Sequence, residues 1–430
     1  MSSDNLTRVQ LCPSVSFSSV RDKKFRHNSI SVNLIVPLER DKAAATAILP
    51  YLLRKGSQHY PDFTLLEQQL CELYGASLSS DVVKYGDRQI VSASISFVDD
   101  RFTLDGEVIS DRCADLLGDM VLAPKLENGI FDAADFALEQ QNLIDTIQAE
   151  INDKRSYAIT QCREMMFAGS PLAVSKYGTV EQAKALTSGE AAARYAELLD
   201  TAVIEIMFVG CGDPAPAREK FRQLFSAQNR HPLPLVDCVP PPPAAAPRTQ
   251  EKRLEVAQAK LVLGMRVTGA SSKSEVDAVK LMTTLYGGTP NSRLFLNVRE
   301  KLSLCYYCAA RYDRPTGSIL VDIGVEHKNR EQAQKAILEQ LEVMKAGGFT
   351  SDELAETKLA AANGMRSVAD SLSAIESWYL VQIMEGTDHS PEDEVDALAD
   401  ISAEAVSAAA AKVTLDSVYF LTGLEAPHEE

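Results

Sequence analysis

SISVNLIVPLERDKAAATAILPYLLRKG (29–56) carries two patterns in succession. In SISVNLIV apolar side chains alternate with polar ones, the signature of a strand buried on one face. After the polar linker ERDK (39–42) the apolar residues follow a helical pattern as far as Lys55, and Gly56 is placed to cap a helix C-terminus. A second stretch, KLVLGMRVTGASSKSEVDAVKLMTTLYG (260–287), repeats the order of strand, polar break, helix and closing glycine. First residue and glycine are 27 positions apart in both. One strand–helix pair could recur by chance, but the later elements correspond as well. Each half runs on through strands into helices, expected at 132–152 and 154–168 in the first and at 329–347 and 351–386 in the second. Each half then closes on an apolar strand, AVIEIMFVG (202–210) and DSVYFLTGL (416–424). The pattern predicts an internally duplicated α+β chain of two modules of roughly 200 residues. Each module is a mixed or antiparallel sheet with helices on one side.

The boundary between the modules is compositional. NRHPLPLVDCVPPPPAAAPRT (229–249) holds seven of the chain's nineteen prolines, and proline-rich segments stay extended and outside a core. The expected division is therefore 1–227, a linker at 228–250, and 251–430. Hydrophobic residues make up 45 % and charged residues 24 %, an ordinary globular composition. No apolar run is long enough to span a bilayer. The start, MSSDNLTRVQ, lacks the basic and apolar regions of a secretory signal, and the tail APHEE (426–430) carries no recognisable address, so a cytoplasmic location is expected. A net charge of −17 opposes binding to nucleic acid or to an anionic membrane, since like charges repel.

Motifs for catalysis are missing as a set. The six histidines, at 27, 59, 231, 327, 389 and 428, include no pair one helical turn apart. The chain therefore has neither HExxH nor HxxEH, the spacings that place two imidazoles on one zinc ion. It also lacks a G-x-S-x-G elbow and a Walker loop. Eight cysteines are scattered too widely for a disulfide framework. Cys305 and Cys308 form one CxxC, but SLCYYCAARY reads as a strand, where that odd spacing sends the two thiols to opposite faces. Both are expected to act as small buried hydrophobes. The acidic stretch SPEDEVDALAD (390–400) reads as a helix start with solvated charges.

NSRLFLNVREKLSLCYYCAARYDRPTGSILVDIGVE (291–326) resembles the second-half signature of the insulinase/pitrilysin (inverzincin) metallopeptidase family, in which a helix leads into R-E-K-x-G-L-x-Y and a strand pair. The strand at 29–36, LYGASL (73–78), the helix from Ala137 to Ala158 and SPLAVSKYGTVEQAKALT (170–187) are similar to the family's first half, in the expected order. The resemblance covers nearly the whole chain and implies two tandem homologous domains of the processing-peptidase-like metallohydrolase type. In active members HxxEH precedes a K-G. Aligned on Lys55–Gly56, its positions fall at Ala47, Pro50 and Tyr51. A further glutamate ligand normally follows another glutamate by seven residues, which puts Thr146 at the ligand position if Glu139 is the earlier one. None of these four side chains gives a zinc shell or a general base for water. The resemblance is to a catalytically degenerate branch, so the chain is expected to be no enzyme on its own and to hold no metal or cofactor.

In two-subunit members one chain carries zinc and the other presents an arginine and a tyrosine, which here match Arg299 and Tyr306. The implied function is a non-catalytic subunit that pairs with an HxxEH-bearing paralogue, closes a peptide chamber and lends that pair to cleavage. Zinc is then expected only in the partner. The plain alternative for the two residues is a salt-bridged surface arginine and a core tyrosine. The alternative for the whole chain is a peptide-binding module that cuts nothing, and relatives in this branch are connected with modification of translation elongation factor P.

Overall fold

The computed structural model of this protein describes residues 6–423; the expectations for the first five residues and for the tail fall outside the described residues. In chain order the first strands are β1 (Thr7–Cys12), β2 (Val15–Arg21), β3 (His27–Pro37), β4 (Ser77–Tyr85) and β5 (Arg88–Val98). A two-residue hairpin, β6 (Leu126–Glu127) and β7 (Ile130–Phe131), precedes β8 (Val203–Gly210). The rest are β9 (Arg248–Arg253), β10 (Ala259–Val267), β11 (Cys305–Asp313), β12 (Ser318–Val325) and β13 (Val413–Thr422). One sheet has the order β1-β2-β8-β3-β5-β4 and the other β11-β12-β10-β13-β9. Read from β2 and from β9, the two orders are the same, and the pairs β2/β8 and β9/β13 are the parallel ones in otherwise antiparallel sheets. The duplication therefore extends to strand order and direction, with β1 as an added edge.

The alternation in 29–36 works as the sequence implies on one face. Ile30, Val32, Leu34 and Val36 join a core with the helices Ala43–Ala47, Leu49–Leu53, Ser110–Leu122 and Ser188–Thr201. The polar face is also covered, which the pattern does not predict. Ser31 and Asn33 are fully buried, and the helix Leu372–Met384 lies on this side, with Ile375 and Tyr379 packed on Val20, Met207 and Val209. Burial pushes the Glu376 carboxyl of that helix up, against hydrogen bonds from the Ser31 and Ser29 hydroxyls. The second sheet shows the same arrangement. Leu261, Leu263 and Met265 face the helices Lys273–Thr283, Arg330–Lys345 and Ala403–Ala411. The opposite face of β10 and β13 is covered by the helix Lys154–Met166. At Gly264 any Cβ would run into the Met166 side chain, so glycine is what lets this helix approach the strand.

The compact units accordingly do not follow the chain. One consists of the residues up to Gln148, Val174–Cys238 and Val368–Ser390; the other of Ala149–Ala173, Val239–Ser367 and Pro391 onward. Relative to a division at 228–250, each unit takes one helix from the other half of the sequence. The two helices occupy equivalent places in the two repeats. The expected helix at 351–386 is in fact two, Ser351–Arg366 and Leu372–Met384, and the break at Ser367–Ser371 is where the chain passes between units. The linker at 228–247 is irregular, but it is tied down: Arg230 donates to the carbonyls of Leu199 and Ala202, and Asp237 pairs with Arg88.

Two further expectations change. Gly287 does not cap a helix in a left-handed conformation; it lies in a wide turn, Thr284–Gly288, where a Cβ would come within 2.7 Å of Ala310 on β11. The acidic stretch does begin a helix, Pro391–Ala399, but Glu394 is buried and pairs with Lys273 at 3.0 Å and Lys280 at 2.9 Å. Burial would raise the Glu394 carboxyl, yet Lys280 and Lys273 outweigh it and hold the group below its ordinary value of 4.5. A carboxylate with a depressed folded pKa stabilises the fold above its ordinary value, and that contribution fades as pH falls through the folded one.

Two stability measurements follow from these contacts. Gly264→Val should lower the unfolding free energy by about 1–3 kcal/mol through overpacking against Met166; unchanged urea unfolding would mean the helix is not held there. Glu394→Gln should cost about 1–3 kcal/mol at neutral pH, the partly exposed lysines moderating the loss. The gap between wild type and this variant should narrow as pH drops below 4.5; a gap that stays constant would remove the charge pairing as its cause.

Candidate functional site

Around the degenerate motif, two short helices meet end to end. Ala47 closes the first, and Pro50 stands in the opening turn of the second, where its missing N–H costs nothing. Ala47 and Pro50 are buried as packing residues, and the Pro50 carbonyl accepts a hydrogen bond from the Ser80 hydroxyl at 2.6 Å. Tyr51 is half-buried, and burial pushes its phenol up to about 12, helped by Tyr177 and by the carboxylates of Asp81 and Glu139. Thr146 is on the exposed side of its helix, and its hydroxyl donates to the Asn142 carbonyl at 2.8 Å.

What the fold does bring together here is Lys55 and Glu139. The Lys55 ammonium lies 2.5 Å from the buried Glu139 carboxylate, which also accepts from the Asn142 amide at 3.0 Å. Sequence reasoning used both residues as alignment marks and missed the pair. A cation thus already neutralises the buried Glu139 carboxylate. A methyl, a pyrrolidine, a neutral phenol and a hydroxyl turned to its own helix do not make a zinc shell. Among the described residues no group of three or more histidine, cysteine, aspartate or glutamate side chains is placed to hold a metal ion.

Arg299 and Tyr306, in contrast, meet at one surface. Arg299 is carried by the wide helical segment Phe295–Lys301 and Tyr306 by the start of β11. Both line an open depression of about 400 Å³, together with Glu300, Cys305 and Glu326. The Arg299 guanidinium stacks on the Phe295 ring at 4.4 Å and lies 3.6 Å from Glu300. The chain between them turns at Ser303, whose φ of 51° is in the left-handed region, at the position where the family's motif has glycine.

A bulge then fixes where Tyr306 points. Cys305 pairs with Val325 and Tyr307 with Gly324, so Tyr306 is an extra residue with no partner on β12. Its ring is 64 % exposed, which rules out the core-tyrosine alternative. The same bulge corrects the expectation for the cysteines. One inserted residue restores the register, so Cys305 and Cys308 face the same core and are 9 % and 5 % exposed. A hydrogen bond from the Cys308 thiol and the nearby Arg299 guanidinium hold Cys305 below the usual thiol range, against the effect of burial. Burial pushes Cys308 well up. The depression can therefore offer a guanidinium and a phenol to carbonyl oxygens, beside a polarised thiol.

The chain resembles several known proteins. Residues 185–360 match the family described as the peptidase M16 inactive domain. The chain is 28 % identical over 406 residues to the probable inactive metalloprotease YmfF of Bacillus subtilis (strain 168), covering 94 % of this chain and 95 % of that protein. A conserved protein from Enterococcus faecalis V583 superimposes with a TM-score of 0.89 at 26 % identity, over 98 % of this chain and 99 % of that one. A peptidase M16 inactive domain from Pseudomonas fluorescens shares the fold with a TM-score of 0.80 at 17 % identity, over 98 % and 99 % of the two chains. With no HxxEH in its sequence and one strand order shared by both repeats, this chain is similar over nearly its whole length to the inactive M16 metallopeptidase relatives.

Proposed function

We propose that this protein is the non-catalytic subunit of a two-chain M16 peptidase, paired with a zinc-bearing HxxEH paralogue and contributing Arg299 and Tyr306 to peptide cleavage. The observation that supports this reading is the contrast between the two candidate sites. In the first repeat Ala47 and Pro50 are packing residues, Tyr51 is half-buried and the Thr146 hydroxyl bonds its own helix; in the second, a guanidinium and a phenol are held at the rim of an open depression. A tyrosine placed on a bulge and exposed serves no core.

An arginine and a tyrosine so placed can grip a peptide carbonyl and donate hydrogen bonds to the oxyanion that develops during hydrolysis elsewhere in the assembly. Arg299 is not consumed by its own neighbours: Glu300 is at 3.6 Å, longer than a good hydrogen bond, so the guanidinium stays available for a ligand. The proposal assigns zinc to the partner alone, a peptide as the substrate and the cytoplasm as the compartment. It excludes nucleic acid on the strength of the −17 net charge. Among the described residues no helix is long and apolar enough to cross a membrane.

A second reading, a peptide-binding module without proteolysis, draws on a different observation. β4 is the outer strand of its sheet and alternates exposed with covered residues along Ser77–Tyr85, a placement suited to pairing with an extended peptide.

One experiment separates the two. The chain is co-expressed with the HxxEH paralogue from the same genome, and cleavage of a peptide library is followed. Arg299→Ala and Tyr306→Phe should each leave assembly intact and lower kcat/KM by about tenfold to a hundredfold. Unchanged cleavage by both variants would end the shared-site reading. Peptide affinity of the isolated chain, with no complex formed, would favour the binding module.

A further inference from the structure

We propose that Cys305 and Cys308 are a redox pair, in which Cys305 is the thiol that reacts with hydroperoxide and Cys308 resolves it to a disulfide. The CxxC spacing alone would not permit this on a regular strand. The bulge at Tyr306 makes it possible, because the two cysteines stand opposite Val325 and Ile323 of β12, two ladder positions apart on one face. At roughly 3.3–3.4 Å of rise per residue that puts their Cα atoms about 6.7 Å apart. That is the upper end of the Cα separations that disulfides span, about 6.8 Å, and closing the bond requires the bulge to draw the two Cβ atoms to about 4 Å.

The two thiols are differently placed, as attacking and resolving partners should be. Cys305 stands at the wall of the open depression beside Arg299 and is 9 % exposed, so a small oxidant has only that narrow approach to it. Cys308 is one step deeper in the core. The two thiols are close enough for each to move the other's titration. Of the cysteines pulled away from the ordinary thiol value, Cys12, Cys113, Cys162, Cys211 and Cys308 are all raised by burial, and Cys305 alone is lowered. A thiol held low beside a guanidinium, at the edge of an open depression and with a second thiol facing the same core, is the kind of environment that makes cysteine reactive.

The chemistry balances with hydrogen peroxide as oxidant. The Cys305 thiolate attacks one peroxide oxygen, the O–O bond breaks, and hydroxide leaves; Cys305 becomes a sulfenic acid. The Cys308 sulfur then displaces the sulfenic hydroxyl as water, its proton leaving with that water, and an S–S bond forms. Two thiols have lost two electrons and one peroxide has become two waters. The bond would fasten both ends of the bulge that carries Tyr306 and remove the free thiol next to Arg299. Control of the Arg299–Tyr306 surface by oxidation rests on the function proposed above; the thiol chemistry does not.

The test uses the full-length chain, reduced, freed of reductant and exposed to a small molar excess of hydrogen peroxide. The expected result is a loss of about 2 Da confined to the tryptic peptide Leu302–Arg311, reversed by dithiothreitol. Cys308→Ser should instead leave Cys305 as a sulfenic acid that a 1,3-dione probe captures, and Cys305→Ser should leave Cys308 unmodified. Arg299→Ala should slow disulfide formation. Two alkylatable thiols in that peptide after treatment, with peroxide consumed at exposed Cys71 instead, would overturn the proposal. Further oxidation of Cys305 without linkage would overturn it too. Because the readout is mass on the isolated chain, such a failure leaves the shared-site reading untouched. Loss of that reading through the cleavage assay would leave the disulfide standing.

Discussion

The central strand of each sheet has to be buried on both faces, and much of the architecture follows from that requirement. β3 and β10 sit in the interior of their sheets, and one face of each meets the main helical layer of its own half. The other face needs a separate cover, which comes from a helix encoded in the opposite half of the chain. Gly264 shows how closely the cover fits: the strand gives up a side chain so that Met166 can sit against it. On β3 the fit is polar, with Ser29 and Ser31 hydroxyls answering the half-buried Glu376. Two modules that each need a helix from the other half have a reason to remain in one chain.

Loss of catalysis is written in the same terms. Where the family's active members hold two imidazoles and carboxylates on zinc, this chain has apolar packing and a Lys55–Glu139 ion pair. A buried carboxylate needs a positive partner, and an ammonium meets that need without any metal. The second repeat carries a different kind of surface. Its exposed tyrosine, arginine and strained turn at Ser303 are features that packing does not require, and local strain persists where the surrounding structure determines it.

Much of this was legible in the sequence. The strand–helix repeat at 29–56 and 260–287 announced the duplication, because hydrophobic periodicity is a local signal. The absence of HxxEH is readable from the histidine spacing alone, while Ala47, Pro50, Tyr51 and Thr146 as motif positions, and Arg299 and Tyr306 as candidates, rest on the aligned motifs. The exchanged helices were not. Lys154–Met166 buries only Ala158, Cys162 and Met166, a stripe too narrow to say which sheet it meets. The bulge was equally hidden, since one extra residue shows only in the pairing of β11 with β12, and it reversed the reading of the CxxC. Glu394 was read as solvated because its partners, Lys273 and Lys280, lie more than a hundred residues away.

The central claim is that the Arg299–Tyr306 surface touches a peptide during turnover by a zinc-bearing partner. The most direct measurement replaces Tyr306 with a photoreactive phenylalanine analogue in the co-expressed complex and irradiates it while substrate peptide is being cleaved. The account predicts a covalent adduct between position 306 and the peptide, abolished by competing unlabelled substrate. Sustained cleavage with no adduct at 306 would contradict it, and would leave the inactive chain a role that does not involve the substrate at this surface.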